Sequence, residues 1–193
     1  MELGNGLIYL AGLCWLVTII HDVKSRKVST LVLAGLALVA LLGQEWPWWV
    51  LTGLALLWPL RWRRYALLLA PTALVTGVIM GEPVIATALV VGSIGWALKW
   101  WGGADGIVLL ALALRHGYEG ILAGVIITVA LGIVLTVVRR RSPLGFVDAA
   151  TGILTQRVLD EDIPPESEIP AAAALAVGGL AMEVSKLWTI MFG

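Results

Sequence analysis

Gly102-Gly103-Ala104-Asp105-Gly106-Ile107-Val108-Leu109-Leu110-Ala111-Leu112-Ala113-Leu114 sets one carboxylate between glycines and an unbroken apolar run. A helix formed by such a run has no polar face, so protein or lipid must surround it on every side. The rest of the chain has the same character, with 60% hydrophobic and 13% charged residues and a mean hydropathy of +0.94 over 193 residues. That composition lies outside the range of ordinary soluble domains and predicts an integral membrane protein. In hydrocarbon each backbone polar group must be satisfied inside its own segment, so the expected fold class is all-α, a polytopic membrane helix bundle.

Breaks at charged residues and prolines divide the chain into apolar segments at 3–20, 28–42, 46–60, 65–80, 83–98, 106–114, 120–138 and 169–190. Several fall short of the ~20 residues of an upright span, which sets the expectation at about six to eight transmembrane helices. All belong to one integral membrane domain, residues 1–193, with a cytoplasmic loop at about 139–168. Alternating spans from an outward N-terminus put Lys24, Arg26, Lys27, Arg61, Arg63, Arg64, Lys99, Arg139, Arg140, Arg141 and Arg157 on the cytoplasmic side, and only Arg115 and Lys186 outside. Insertion thus accounts for the basic loops without nucleic-acid binding.

The first residues, Met1-Glu2-Leu3-Gly4-Asn5-Gly6, carry no basic n-region, so the first apolar run is expected to be a retained span rather than a signal peptide. The single cysteine, Cys14, lies within that run; an intrachain disulfide is excluded and a packing role is expected. Trp46, Trp48 and Trp49 fall at predicted outer ends, and Trp58, Trp62, Trp96, Trp100 and Trp101 at inner ends. Their amphipathic rings are read as interfacial anchors. Gly35, Gly53, Gly77, Gly92, Gly95, Gly124 and Gly132, within the spans, are read as close-packing positions.

Two carboxylates stand at the edges of this hydrocarbon: Asp22, in His21-Asp22-Val23-Lys24-Ser25-Arg26-Lys27-Val28, and Asp105, 83 positions further on. Ionising a carboxylate there is costly, which points to a functional reason. The same alternation puts both at the cytoplasmic face, where folding can unite them. Gly102 and Gly103 are expected to shape the backbone around Asp105, and the helix that follows presents its N-terminus to the carboxylate.

The Asp22-x-x-x-Arg26-x-Val28 stretch, the Gly-Gly-Ala-Asp at 102–105 with its Leu/Ala-rich continuation, and Ile169-Pro170-Ala171-Ala172 before the last apolar run together resemble the aspartic prepilin and preflagellin peptidases. These are intramembrane proteases of the GxGD type, and the likeness is to their archaeal members. It implies that Asp22 and Asp105 are the catalytic pair and that the substrates are precursors of type IV pilins or archaeal flagellins (archaellins). Such enzymes cut off a short basic leader at the cytoplasmic membrane face. The large cysteine-bearing cytoplasmic domain of the methylating bacterial enzymes has no counterpart in this sequence, so peptidase activity alone is expected.

Two nearby carboxyl groups titrate as a coupled pair and share one proton. The ionised member would activate water against the scissile carbonyl, while the protonated member would hydrogen-bond that carbonyl and later protonate the leaving amine. That chemistry requires no metal, no cofactor and no covalent intermediate. The expected partners are precursor peptides and membrane lipids. His21 and His116 fall on opposite sides and make no metal cluster. Asp148 is a further inward carboxylate without a glycine motif, and the acidic run Asp160-Glu161-Asp162 reads as a solvated turn. The alternative from another class is a small ion- or proton-coupled transporter using the same aspartates. Neither the Gly-Gly-Ala-Asp nor the Asp-x-x-x-Arg element recurs, as it would in a chain built of two related halves.

Overall fold

The computed structural model describes residues 2–25, 28–57, 63–98, 102–140 and 171–192, and all of their regular structure is helical. In chain order the helices are α1 (Glu2–Ser25), α2 (Thr30–Leu41), α3 (Trp46–Ala55), α4 (Arg63–Met80), α5 (Pro83–Ala97), α6 (Gly103–Arg140) and α7 (Ala171–Phe192). The expected loop at about 139–168 lies almost wholly outside the described residues, as do Asp148, Arg26, Lys27 and Trp58, Trp62, Trp100 and Trp101; only its first residues, Arg139 and Arg140, are described, as the end of α6.

Local chemistry sets the helix ends. Ser29 caps α2 by accepting from the backbone N–H of Val32, satisfying a donor that the first turn leaves without a partner. Pro47 and Pro83 occupy the first turns of α3 and α5, where a missing N–H costs nothing. Gly81 turns the chain between α4 and α5 with φ 70°. Nearby, Gly77 lets the two helices touch, since an added Cβ would run into Ala86 Cβ.

The decisive break is inside α6. Gly117 has φ 62° and ψ −145°, a conformation open to glycine and strained for any other residue. There the chain folds back into a helical hairpin, with a first arm before Gly117 and a second arm after it. A Cβ on Gly124 would lie 2.8 Å from Leu112 Cδ1, whereas a straight helix would separate these positions by about 18 Å. The two apolar segments read at 106–114 and 120–138 are therefore the arms of one hairpin.

The first arm is the centre of the molecule. Every residue from Ile107 to Leu114 is at most 8% exposed, the condition that a helix without a polar face demands. It is walled by α2, α5, α7 and its own second arm, and α1 packs on α7 and α2. The outside of the bundle is apolar: Leu31, Val78 and Ile79 are each at least 75% exposed. Such a surface is stable against lipid and poorly stable against water.

By length and composition three helices can cross a membrane: Gly6–Ser25, Gly103–Val134 with its reversal at Gly117, and Ala171–Phe192. The apolar helices at Thr30–Leu41, Leu67–Met80 and Pro83–Ala97 are shorter than an upright span. One tryptophan departs from its expected place. Trp48 is only 1% exposed and fills the core rather than anchoring the surface, because it lies with Leu51, Thr52 and Ala55 on the inward side of α3, whereas Trp46 and Trp49 are exposed.

Candidate functional site

Asp22 stands near the C-terminal end of α1 and is 7% exposed. One carboxylate oxygen accepts the backbone N–H of Ala173 at 2.7 Å. Ala173 is in the first turn of α7, where backbone donors have no partner within their own helix and the helix dipole favours negative charge. Asp22 thus occupies the position that a capping side chain would fill.

Asp105 is in the first turn of α6 and half-buried. Its Oδ2 accepts the backbone N–H of Gly102 at 2.9 Å, a carboxylate reaching back to a preceding donor as in a capping box. Gly103, next to it, is buried. A Cβ on Gly102 would meet Asp105 Oδ2 at 3.5 Å, an ordinary contact, so packing around Asp105 does not by itself require glycine at 102.

Three sets of contacts fix the relative level of the two aspartates. α1 runs antiparallel to α7, since Asp22 meets Ala173, Trp15 covers Gly179 and Gly12 faces Leu180. The first arm of α6 runs parallel to α7, because Leu112 and Leu175 meet over Gly124 while Arg115 reaches Glu183. Trp15 and His116 are level, with ring centroids 6.3 Å apart. From that level Asp22 lies about 10 Å and Asp105 about 16 Å along the axes, in the same direction. Both aspartates belong to one end of the bundle. α7 and α2 bridge their helices, and α1 and α6 share no extensive interface of their own.

The neighbours singled out with them separate. His21 is exposed, on a different face of α1 from buried Asp22, and its carbonyl accepts from Ser25 Oγ. Lys24 is exposed at the same end. His116 lies at the opposite end, beside Trp15. Among the described residues no group of three or more His, Cys, Asp and Glu side chains is placed to hold a metal ion.

Two features escaped the sequence reading. One is the clasp between Asp22 and Ala173; no property of an alanine side chain signals that its backbone will meet a carboxylate. The other is a buried charged cluster at the far end, built from Arg115 and His116 of α6 and Glu183 and Lys186 of α7. Its signal was present in the sequence. Glu183 and Lys186 stand three apart in the last apolar helix, and Arg115-His116 interrupts an apolar stretch; ionisable groups in such places need partners.

Comparison with protein-family models, with curated proteins and with solved structures finds no match.

Proposed function

We propose that this chain is a membrane-embedded aspartic endopeptidase that removes the short basic leader from type IV prepilin or preflagellin precursors, with Asp22 and Asp105 as its catalytic pair. One observation supports the reading above the others: two carboxylates 83 positions apart in sequence lie at the same end of an otherwise apolar bundle. In this reading the shorter apolar helices also cross the membrane, giving six to eight spans. The aspartate end faces the cytoplasm, where Lys24 and the basic residues after it favour retention.

The chemistry follows from the pair. An extended precursor segment enters between α1 and the start of α6, and one ionised carboxylate takes a proton from water as the oxygen attacks the scissile carbonyl carbon. The other carboxyl group donates a hydrogen bond to the carbonyl oxygen and then protonates the departing amine. The C–N bond breaks, the proton count balances, and the pair returns to its shared-proton state. In the resting structure Asp22 is held by the N–H of Ala173 and Asp105 by that of Gly102. Both side chains are therefore oriented before substrate arrives, and the α7 backbone is part of the site's framework.

Co-expression of the chain with a prepilin or preflagellin precursor tests the reading through the mobility of the precursor on gels. Loss of the leader is the expected result. A precursor that keeps its leader with every pilin and archaellin tried contradicts it.

A further inference from the structure

The end of the bundle opposite the aspartates holds four ionisable side chains from two helices. Arg115 Nε donates to Glu183 Oε1 at 2.8 Å, with Nη2 3.5 Å from Oε2. His116 Nε2 lies 3.3 Å from the same Oε1, off the hydrogen-bonding direction. Lys186 Nζ is 3.1 Å from His116 Nδ1. An ammonium can only donate, so Nδ1 is the acceptor in this contact. Two basic side chains, Arg115 and Lys186, thus share a single buried carboxylate.

The same cluster has more donors than acceptors. Lys186 carries three N–H donors and Arg115 five, and among the described residues Lys186 has only His116, and Arg115 only Glu183, as side-chain acceptors. Glu183 is 1% exposed and already engaged. Glu45, Glu82 and Glu119, the other acidic residues at this end whose side chains are described, are exposed to the surroundings. Lys186 is half-buried and the Arg115 side chain 13% exposed, so both cations remain reachable from outside.

Two further observations identify what would reach them. Exposed aromatic rings gather at this end: Tyr9, Trp46, Trp49, Tyr118 and Trp188. Gln44, just before Trp46, is bonded to Leu114 O at the tip of the first arm, and Trp49 Nε1 donates to Gln44 O. Such rings collect at the headgroup level of a bilayer. Beside the cluster Leu122, Val125, Ile126, Val184 and Ile190 leave apolar side chains exposed along the second arm and α7, where acyl chains can lie.

We propose that Arg115 and Lys186 bind the phosphate of an anionic phospholipid headgroup, with its acyl chains on the adjoining apolar flank of α6 and α7. The phosphate oxygens take the surplus N–H donors, and its negative charge completes a cluster that has one carboxylate for two cations.

The test uses the full chain, purified in mild detergent and titrated with phosphatidylglycerol or with phosphatidylcholine. Occupancy is read by native mass spectrometry and stabilisation by thermal melting. The expected result is a preference of about tenfold for phosphatidylglycerol, lost in Lys186→Gln and kept in Lys186→Arg, which restores the charge. Lys186→Gln leaves the Arg115–Glu183 pair intact, and the arginine variant keeps the test decisive if the glutamine one does not fold. Equal affinity for the two lipids overturns the proposal, as does a lysine-to-glutamine variant that keeps the preference. Inorganic phosphate displacing phosphatidylglycerol at millimolar concentration assigns the site to a soluble anion and overturns the lipid assignment.

Discussion

The carboxylate of Asp22 accepts the backbone N–H of Ala173 at 2.7 Å, across 151 positions of sequence. This contact joins the end of the first helix to the start of the last, so the candidate site and the closure of the bundle share one hydrogen bond. Asp22→Ala removes the acceptor and leaves a buried N–H without a partner, whereas Asp22→Asn keeps an oxygen in place. The alanine variant is expected to lose about 1–3 kcal/mol of stability and the asparagine variant clearly less, measured by thermal unfolding in detergent. Equal melting of the two would show that the clasp contributes nothing.

Proline at 173 tests the same bond from the other side. It deletes the donor while leaving the Asp22 side chain intact, and a first-turn proline is compatible with a helix. Ala173→Pro is expected to keep the helical circular-dichroism signal and to lower peptidase activity by about tenfold, an effect of about 1.4 kcal/mol. Unchanged turnover would remove Ala173 from the framework of the site.

Glu183 holds Arg115 in a nearly dry position. Removing one partner of a buried ion pair leaves an uncompensated charge, so Glu183→Leu is expected to destabilise the bundle by about 3–5 kcal/mol, and Arg115→Met on that background to recover most of the loss. Melting of the single and double variants checks this. A double variant less stable than the single one would contradict it.

The glycines divide by what stands opposite them. A Cβ on Gly178 would lie 2.6 Å from Gly124 Cα, a backbone atom that cannot move aside, whereas one on Gly53 meets nothing within 4 Å. Gly178→Ala is therefore expected to cost about 1–3 kcal/mol by forcing α6 and α7 apart. Gly53→Ala is expected to be neutral or to stabilise by up to about 1 kcal/mol, since alanine favours a helix interior.

The apolar segments were legible because proline, glycine and charged breaks punctuate long Leu/Ala/Val runs; the segments at 46–60 and 83–98 begin where α3 and α5 begin or lie within a residue of it. The hairpin at Gly117 was legible only as two separate runs, since one glycine among many does not announce a positive φ. Trp48 was misplaced because an interfacial tryptophan and a buried one look alike in sequence, and only the inward face of α3 decides between them. Asp22 and Asp105 stood out as carboxylates among apolar residues, and the structure sets both at one end of the bundle. The Arg115–Glu183 pairing depends on the parallel packing of α6 and α7, a tertiary property that no local spacing encodes.

The proposed joint action of Asp22 and Asp105 on a peptide bond makes each of them indispensable to turnover. Its most direct measurement is leader cleavage from a precursor by the purified chain in liposomes, for the unaltered protein, Asp22→Asn and Asp105→Asn, with melting temperatures taken in parallel. The expected result is cleavage by the unaltered chain and a fall of at least about a thousandfold, about 4 kcal/mol of transition-state stabilisation, in each variant at little cost in melting temperature. Cleavage by either variant at a rate near that of the unaltered chain would contradict it.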